Sequence, residues 1–484
     1  MREPWTVAGS PVESPVPDGT AVTLDPEARF YGRDLIAGGS PWRLLRLSVG
    51  SRNAAEQWRG GGVVGPGEGR LARTFVQQGL LHPLFWEPDD LDDVDVIVPV
   101  RDASALGTLL DDLRGLHVTI VDDGSLDPAA VADCANRNGA QLVRLTQNVG
   151  PAAARNAGAQ ATGRPFIWFL DDDVTLADAP SIGRFLRAHF GDPVVGAVAP
   201  RIRGRAGPSA RERFEQRCSP LDMGARSALV VPGGVVGYVP SACLLVRRRA
   251  FGDGFDPVLR VGEDVDLVWR LHDQGWLVRY VADVVVAHAA RDTWSTWWRQ
   301  RVRYGQSASE LASRHGARLA PVRADLWTLV AWASVLARRP LVAGRVVRVT
   351  RDRLARRVDV GGGDHVAVAN ALIGRSVIGA AGPLARSIVR TYGPVLVAAS
   401  VHPKLRRPAL AVFTLGTAWR WRHERPRVTD VPMGIADDVA YATGVAVGAW
   451  RARSLVALTP VIARSSIGLG ELLGLPARRP RVRS

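Results

Sequence analysis

The stretch FIWFLDDDV, residues 166–174, decides the fold. Five apolar or aromatic residues run without interruption into three carboxylates, Asp171, Asp172 and Asp173. A short uncharged run that ends at turn-forming residues reads as a strand buried on both faces. The same texture occurs upstream in HVTIVDDGS (117–125), which ends on Asp122, Asp123 and a Gly-Ser turn. VDVIVPV (94–100), QLVRLTQN (141–148), PVVGAVAPRI (193–202) and ACLLVRR (242–248) repeat it, with helical stretches between. This alternation predicts an α/β domain of Rossmann-like type built on a parallel, buried sheet.

In open α/β sheets ligands bind outside the carboxyl ends of the strands. Both acidic clusters therefore point towards one crevice. Carboxylates crowded there repel one another unless a cation lies among them, and a hard divalent ion such as Mg²⁺ or Mn²⁺ suits oxygen ligands. In the D-x-D pattern Asp171 and Asp173 share one side of an extended segment, so one can ligate metal while the other reaches a sugar or ribose hydroxyl. The helix PAAARNAGAQA (151–161) follows the turn Asn148-Val149-Gly150, and its N-terminus can face a phosphate. Arg155 on that helix either meets a diphosphate, meets the aspartate cluster, or is a surface residue.

Further on, RVGEDVDLVWRL (260–271) opens an amphipathic helix with Glu263 and Asp264 just after a glycine. Acids there suit the helix dipole, or one of them is a general base. His288, after VADVVVA (281–287), is either structural or a third metal ligand. TWSTWWRQRVRYGQS (293–307) clusters Trp294, Trp297 and Trp298 beside Gln300, Arg303 and Tyr304. Such aromatics stack on sugar rings or pack in interfaces, and the arginines can neutralise a diphosphate.

The chain has 484 residues and a net charge of +15. That length implies two or three domains. Lys404 is the sole lysine, so the basic excess reads as a compositional bias towards arginine. No nucleic-acid-binding motif accompanies it, and no nucleic-acid partner is expected. Cys134, Cys218 and Cys243 lack metal-ligand spacing and fit a reducing, cytoplasmic setting. The polar, proline-rich start has no apolar segment of signal-peptide type.

Residues 1–19 read as a disordered tail, 20–86 as a compact unit of short strands around the AGGS turn with two or three short helices, and 92–305 as the α/β domain. Residues 306–484 read as a helical, basic region. Its uncharged runs LWTLVAWASVLA (326–337), TYGPVLVAASVHP (391–403), PALAVFTLGTAW (408–419) and VAYATGVAVGAW (439–450) are each too short to cross a bilayer alone. They form either a soluble bundle or helices at the inner face of a membrane.

The order VDVIVPVRD, VDDGS, NVGPAAARNAG, FLDDDV and GFDPVLRVGEDVDLVWRL resembles the family 2 glycosyltransferases of GT-A fold, over residues 94 to about 305. QRVRY (300–304) is similar to the Q-x-x-R-W motif of chain-extending members, with Tyr304 in place of Trp. The unit before the transferase and the Arg-rich helical tail resemble the mycofactocin-system branch. Residues 20–86 resemble the small winged-helix-like domains that bind precursor peptides. The resemblance implies an inverting, metal-dependent hexosyltransferase, with UDP-glucose as donor and a peptide-derived redox cofactor precursor as acceptor, and it allows extension of a short β-linked glucan. It assigns Asp122 and Asp123 to the uridine end, Asp171 and Asp173 to ribose and metal with His288 as a further ligand, and Arg155 to the nucleotide-sugar. Asp264 is the implied general base, with Glu263, Gln300, Arg303 and Tyr304 at the acceptor or diphosphate. The alternatives are a lipid-phosphate or cell-envelope polysaccharide acceptor, and a non-catalytic nucleotide-sugar-binding scaffold. A nucleotidyltransferase shares the architecture, but VPVRDASALG (98–107) is a poor match to its Gly-rich phosphate loop.

Overall fold

The structure, a computed structural model, describes residues 14–40, 42–102, 105–357, 365–420 and 427–463. The tail expected over residues 1–19 lies, for residues 1–13, outside the described residues, as do the last 21 residues of the helical region. The chain divides into two compact units, one of residues 1–30 with 35–292 and one of residues 31–34 with 293–484.

The first unit is organised by a nine-stranded sheet made of β1 (Val94–Val100), β2 (His117–Asp123), β3 (Gln141–Leu145), β4 (Phe166–Leu170), β5 (Val174–Thr175), β6 (Val195–Gly204), β7 (Ala228–Leu229), β8 (Cys243–Arg247) and β9 (Leu277–His288). The strand order is β5-β9-β6-β8-β4-β1-β2-β3, with β7 also paired to β9. Strands β4, β1, β2 and β3 run parallel; the apolar residues of β4, β1 and β2 are largely buried, whereas those of β3, at the edge of the sheet, are half-buried. The sheet is not wholly parallel as the sequence suggests. β8 runs antiparallel to both β4 and β6, and β5 and β7 run antiparallel to β9. A strand buried on both faces reads as the same apolar run in either direction, so its polarity is not written in its composition.

Helix α1 (Leu106–Asp112) follows β1, and α2 (Pro128–Arg137) follows β2 with Asp127 as N-cap, its carboxylate accepting from Ala130 N at 3.0 Å. α3 (Pro151–Gln160) joins β3 to β4, α4 (Ala179–Ala188) and α5 (Ala210–Cys218) flank β6, and α6 (Glu263–Asp273) precedes β9. Ahead of this domain, Ala21–Leu24 pairs antiparallel with Gly62–Val63 and Leu81–Leu84, and Leu35–Gly38 with Arg43–Arg46. Helices Val49–Gln57 and Gly69–Gln77 complete this part. Its apolar residues, Trp58 and Phe75 among them, join one continuous core with those of the sheet.

The second unit is helical: α7 (Trp294–His315), α8 (Leu326–Leu336), α9 (Pro340–Arg357), α10 (His365–Ile373), α11 (Gly379–Val401), α12 (Pro403–Arg420) and α13 (Asp430–Arg451). α7 and α13 pack backbone to backbone. A Cβ on Gly305 would lie 2.1 Å from Tyr441 O, and one on Gly444 2.1 Å from Val302 O. The apolar runs do not stop where the sequence suggests. From His365 to Val401 the helices follow one another through a π turn at Gly374–Ile378 and a kink at Tyr392 (φ −111°, ψ 21°), a stretch long and apolar enough by length and composition to cross a membrane. Within it the Arg386 guanidinium bonds Asp438 at 2.6 Å.

Within the first unit, one buried ion pair pins the N-terminal strands and helices to the sheet. Arg73 donates from both terminal nitrogens to Asp192, at 2.9 and 2.8 Å, and both side chains are almost fully buried. Removing one partner of such a pair leaves an uncompensated charge. Arg73→Met is expected to lower stability by roughly 3 kcal/mol, read as a fall in the denaturant midpoint. An unchanged midpoint would show that the pair does not hold these parts together.

Candidate functional site

At the end of β2 the two aspartates are fasteners. Asp122, fully buried, accepts from Ser125 N at 2.8 Å and from Arg144 Nη1 at 2.5 Å. Asp123 accepts from Val149 N at 2.7 Å and Gly150 N at 3.0 Å. Those two amides lead into α3, so the carboxylate sets the helix start and holds the VDDGS and NVGP turns together. Arg260 secures the same turn from the far side, donating to Val149 O at 2.9 Å.

Arg155, one turn and a half into α3, is nearly buried and resolves the choice left open by the sequence. It donates to Asp171 Oδ1 at 2.5 Å and to Glu263 Oε1 at 3.0 Å. Its guanidinium also lies 5.4 Å from the ring centroid of Phe255. Burial alone would lower its pKa, but Asp171 and Glu263 outweigh burial and hold it raised. One cation thus joins the end of β4 to the start of α6.

The antiparallel pairing of β5 with β9 sets Val174 opposite His288. That register brings His288 Nε2 to 3.0 Å from Asp173 Oδ1, while Nδ1 is 2.9 Å from Ala289 O. A carbonyl on one ring nitrogen orients the other towards the carboxylate. Burial would lower the His288 pKa, but Asp173 raises it, and Asp173 is correspondingly lowered against its own burial. Arg291, which the sequence reading did not single out, approaches Asp173 Oδ2 at 3.6 Å. Asp171, Asp173 and His288 offer ligand atoms that all lie within 4.8 Å of one another. Two carboxylates and an imidazole are a donor set that suits a divalent cation. The middle aspartate differs: burial first, then Asp173 and Asp171, push Asp172 up to about 7.

Asp264 occupies the first turn of α6, entered through Gly262 at a φ of 89°. Its carboxylate accepts from Val265 N at 2.8 Å. Burial, then the neighbouring Glu263 charge, push it up to about 7, against the opposing pull of the Val265 amide and Arg155. A carboxyl poised near neutrality can accept a proton from a hydroxyl.

Gln300, Arg303 and Tyr304 lie on α7, in the second unit. Arg303 is exposed there, and its neighbour Arg301 is the buried one, with Nε 2.8 Å from Asp437 and Nη1 donating to Gln300 Oε1 at 3.0 Å. The signal was present in the sequence, since Arg301 falls on the helical stripe of Trp297, Gly305, Ala308 and Ala312.

The glycosyl transferase family 2 profile matches residues 95–255. Pre-mycofactocin glycosyltransferase of Mycobacterium tuberculosis, in strains CDC 1551 / Oshkosh and H37Rv, is 37% identical over 472 residues, covering 92% of this chain and 98% of the relative. Poly-beta-1,6-N-acetyl-D-glucosamine synthase of Staphylococcus aureus (strain COL) is 27% identical over 203 residues, 41% of this chain and 48% of the relative. Among solved structures, a Pyrobaculum calidifontis mannosyltransferase matches with a TM-score of 0.41 at 18% identity, over 74% of this chain and 87% of that one. The mycobacterial match over 92% of this chain, together with the family profile over residues 95–255, places the chain in glycosyl transferase family 2, in the GT-A fold, as a glycosyltransferase of the mycofactocin type.

Proposed function

We propose that the chain moves a hexosyl group from a UDP-sugar, UDP-glucose in the first instance, to pre-mycofactocin, with inversion at the anomeric carbon. The observation that carries this reading is Asp264: a half-buried carboxyl pushed up to about 7, one residue from the Glu263 that Arg155 ties to Asp171. The likeness to the mycobacterial pre-mycofactocin glycosyltransferase supports the acceptor.

In this reading Asp264 takes the proton of the acceptor hydroxyl as that oxygen bonds to the anomeric carbon. The bond from that carbon to UDP breaks, and its electron pair leaves with the diphosphate. The turns fastened by Asp122 and Asp123 receive the uridine end. Asp171, Asp173 and His288 hold Mg²⁺ or Mn²⁺, which when bound neutralises charge on the leaving diphosphate. Arg155 keeps the Asp171 carboxylate and the start of α6 at a fixed spacing. Glu263 in the first unit remains a candidate for contact with the acceptor or diphosphate, and Gln300, Arg303 and Tyr304 in the second unit remain candidates on their motif alone. The strand Gly62–Val63 pairs on one side only among the described residues, which supports a precursor peptide adding there as a further strand.

One observation favours a second reading, in which the protein works at the inner face of a membrane on a lipid-phosphate or cell-envelope acceptor. From His365 to Arg420 there are seven Arg or Lys residues and no Asp or Glu. Val395, Val397 and Val401 of α11 and Leu405 of α12 are 50–81% exposed near the basic turn that holds Lys404, Arg406 and Arg407. Such a surface suits anionic lipid. Co-sedimentation with phosphatidylglycerol vesicles, beside an acceptor screen, separates the two readings.

Asp264→Asn is expected to reduce transfer by about 10²- to 10⁴-fold while leaving UDP binding intact; loss of both together would make Asp264 structural. Because Asp264 must be deprotonated to act, kcat/KM is expected to climb with pH and level off above about 7, and a flat profile from pH 5 to 8 would contradict the assignment. Mn²⁺ is expected to raise the melting temperature of the wild type but not of Asp173→Ala. An equal rise in both would place the ion elsewhere.

A further inference from the structure

The segment from Val230 to Ala242, VVPGGVVGYVPSA, is bonded to β9, to Asp171 at the end of β4, to α6 and to the N-terminal part of the chain. At its start Val230 N donates to Val278 O of β9 at 2.9 Å. At its end Ala242 O accepts from Asp171 N at 3.0 Å. In between, Gly237 O accepts from Trp269 Nε1 of α6 at 2.7 Å. The fourth attachment comes from the N-terminal part of the chain: Ser40 Oγ accepts from Val235 N at 3.1 Å.

Stiffness is distributed unevenly along this segment. Pro232 and Pro240 fix their own φ angles, and Val236 and Val239 are buried. Gly233 and Gly234 are adjacent residues with the most backbone freedom to lose. Ser40 grips the chain at that weak point. A Cβ built on Gly234 would lie 2.9 Å from Ser40 Oγ and 3.0 Å from Val231 O. Ser40 is itself 6% exposed and wedged in place: its amide donates to Gln78 O at 3.1 Å, and a Cβ on Gly79 would lie 2.9 Å from Ser40 N. The turn of residues 38–40 therefore has no room to yield.

We propose that this segment is a strut through which the N-terminal part of the chain positions the general base, with Ser40 and Trp269 as its positioning residues. Ser40 touches no reacting atom. It holds Val235, the strut carries that restraint through Val236 to Gly237, and Gly237 O holds Trp269 Nε1 on α6, the helix whose first turn carries Asp264. The N-terminal strands and helices then serve the chemical step as well as any acceptor they bind. Supports of this kind have large effects on turnover because a catalytic group displaced by about 1 Å loses on the order of 10²-fold in rate.

The inference rests on Asp264 as base, and the test separates the two. Ser40→Ala, Trp269→Phe, the double variant and Asp264→Asn are compared in the full-length chain, using UDP release from UDP-glucose with pre-mycofactocin as acceptor. Ser40→Ala is expected to lower kcat by about 10-fold with KM for both substrates unchanged. Trp269→Phe is expected to act in the same way. Because both act through one element, the double variant is expected to lose less than the product of the single losses. Unchanged kcat in Ser40→Ala, beside an inactive Asp264→Asn, would overturn the strut and leave the base in place. A raised acceptor KM at unchanged kcat would overturn it too, since Ser40 would then serve binding. Full transfer by Asp264→Asn would remove the base assignment and the strut with it.

Discussion

The proposed site depends on one buried cation. Arg155 lies between a carboxylate at the end of β4 and another at the start of α6, two elements 92 residues apart in sequence between Asp171 and Glu263. Taken out of water without partners, such a charge would cost several kcal/mol. Paired on both sides, it fixes the spacing of the acidic strand end and the helix that carries Asp264. It also lets three consecutive aspartates and a Glu-Asp pair sit in one region of the molecule.

Around that cation the carboxylates divide by environment. Asp122 and Asp123 are spent on backbone amides and Arg144, and they shape the turns that lead into α3. Asp173 is held charged by His288 and Arg291. Asp172 and Asp264 are driven towards neutrality by burial and by their acidic neighbours. Only Asp264 among them combines a raised pKa with a place at the start of a helix beside the Arg155–Glu263 pair. The residue types are the same throughout, and the partners decide which is fastener, ligand or base.

Much of this was legible in the sequence. Continuous apolar runs ending in acids marked β2 and β4 and the crevice beyond them, and GEDVD marked the start of α6. What was not legible follows from physics that acts across distance. The direction of β8 depends on its connections, not on CLLVR. Arg155 had three readings because its partners lie 16 and 108 residues away. On α7 the motif drew attention to Arg303, whereas the 3.6-residue period singles out Arg301, the one that is buried against Asp437. The bond from Val235 to Ser40 spans 195 residues and leaves no local trace.

The most direct test of sugar transfer at this site is UDP release by the purified full-length protein. Each candidate UDP-hexose is offered in turn, with and without EDTA and with and without pre-mycofactocin. Turnover of UDP-glucose that is stimulated by the acceptor and abolished by EDTA is the predicted result. Failure of every UDP-sugar to turn over, even with acceptor and Mn²⁺ present, would contradict transfer and leave a nucleotide-sugar-binding scaffold.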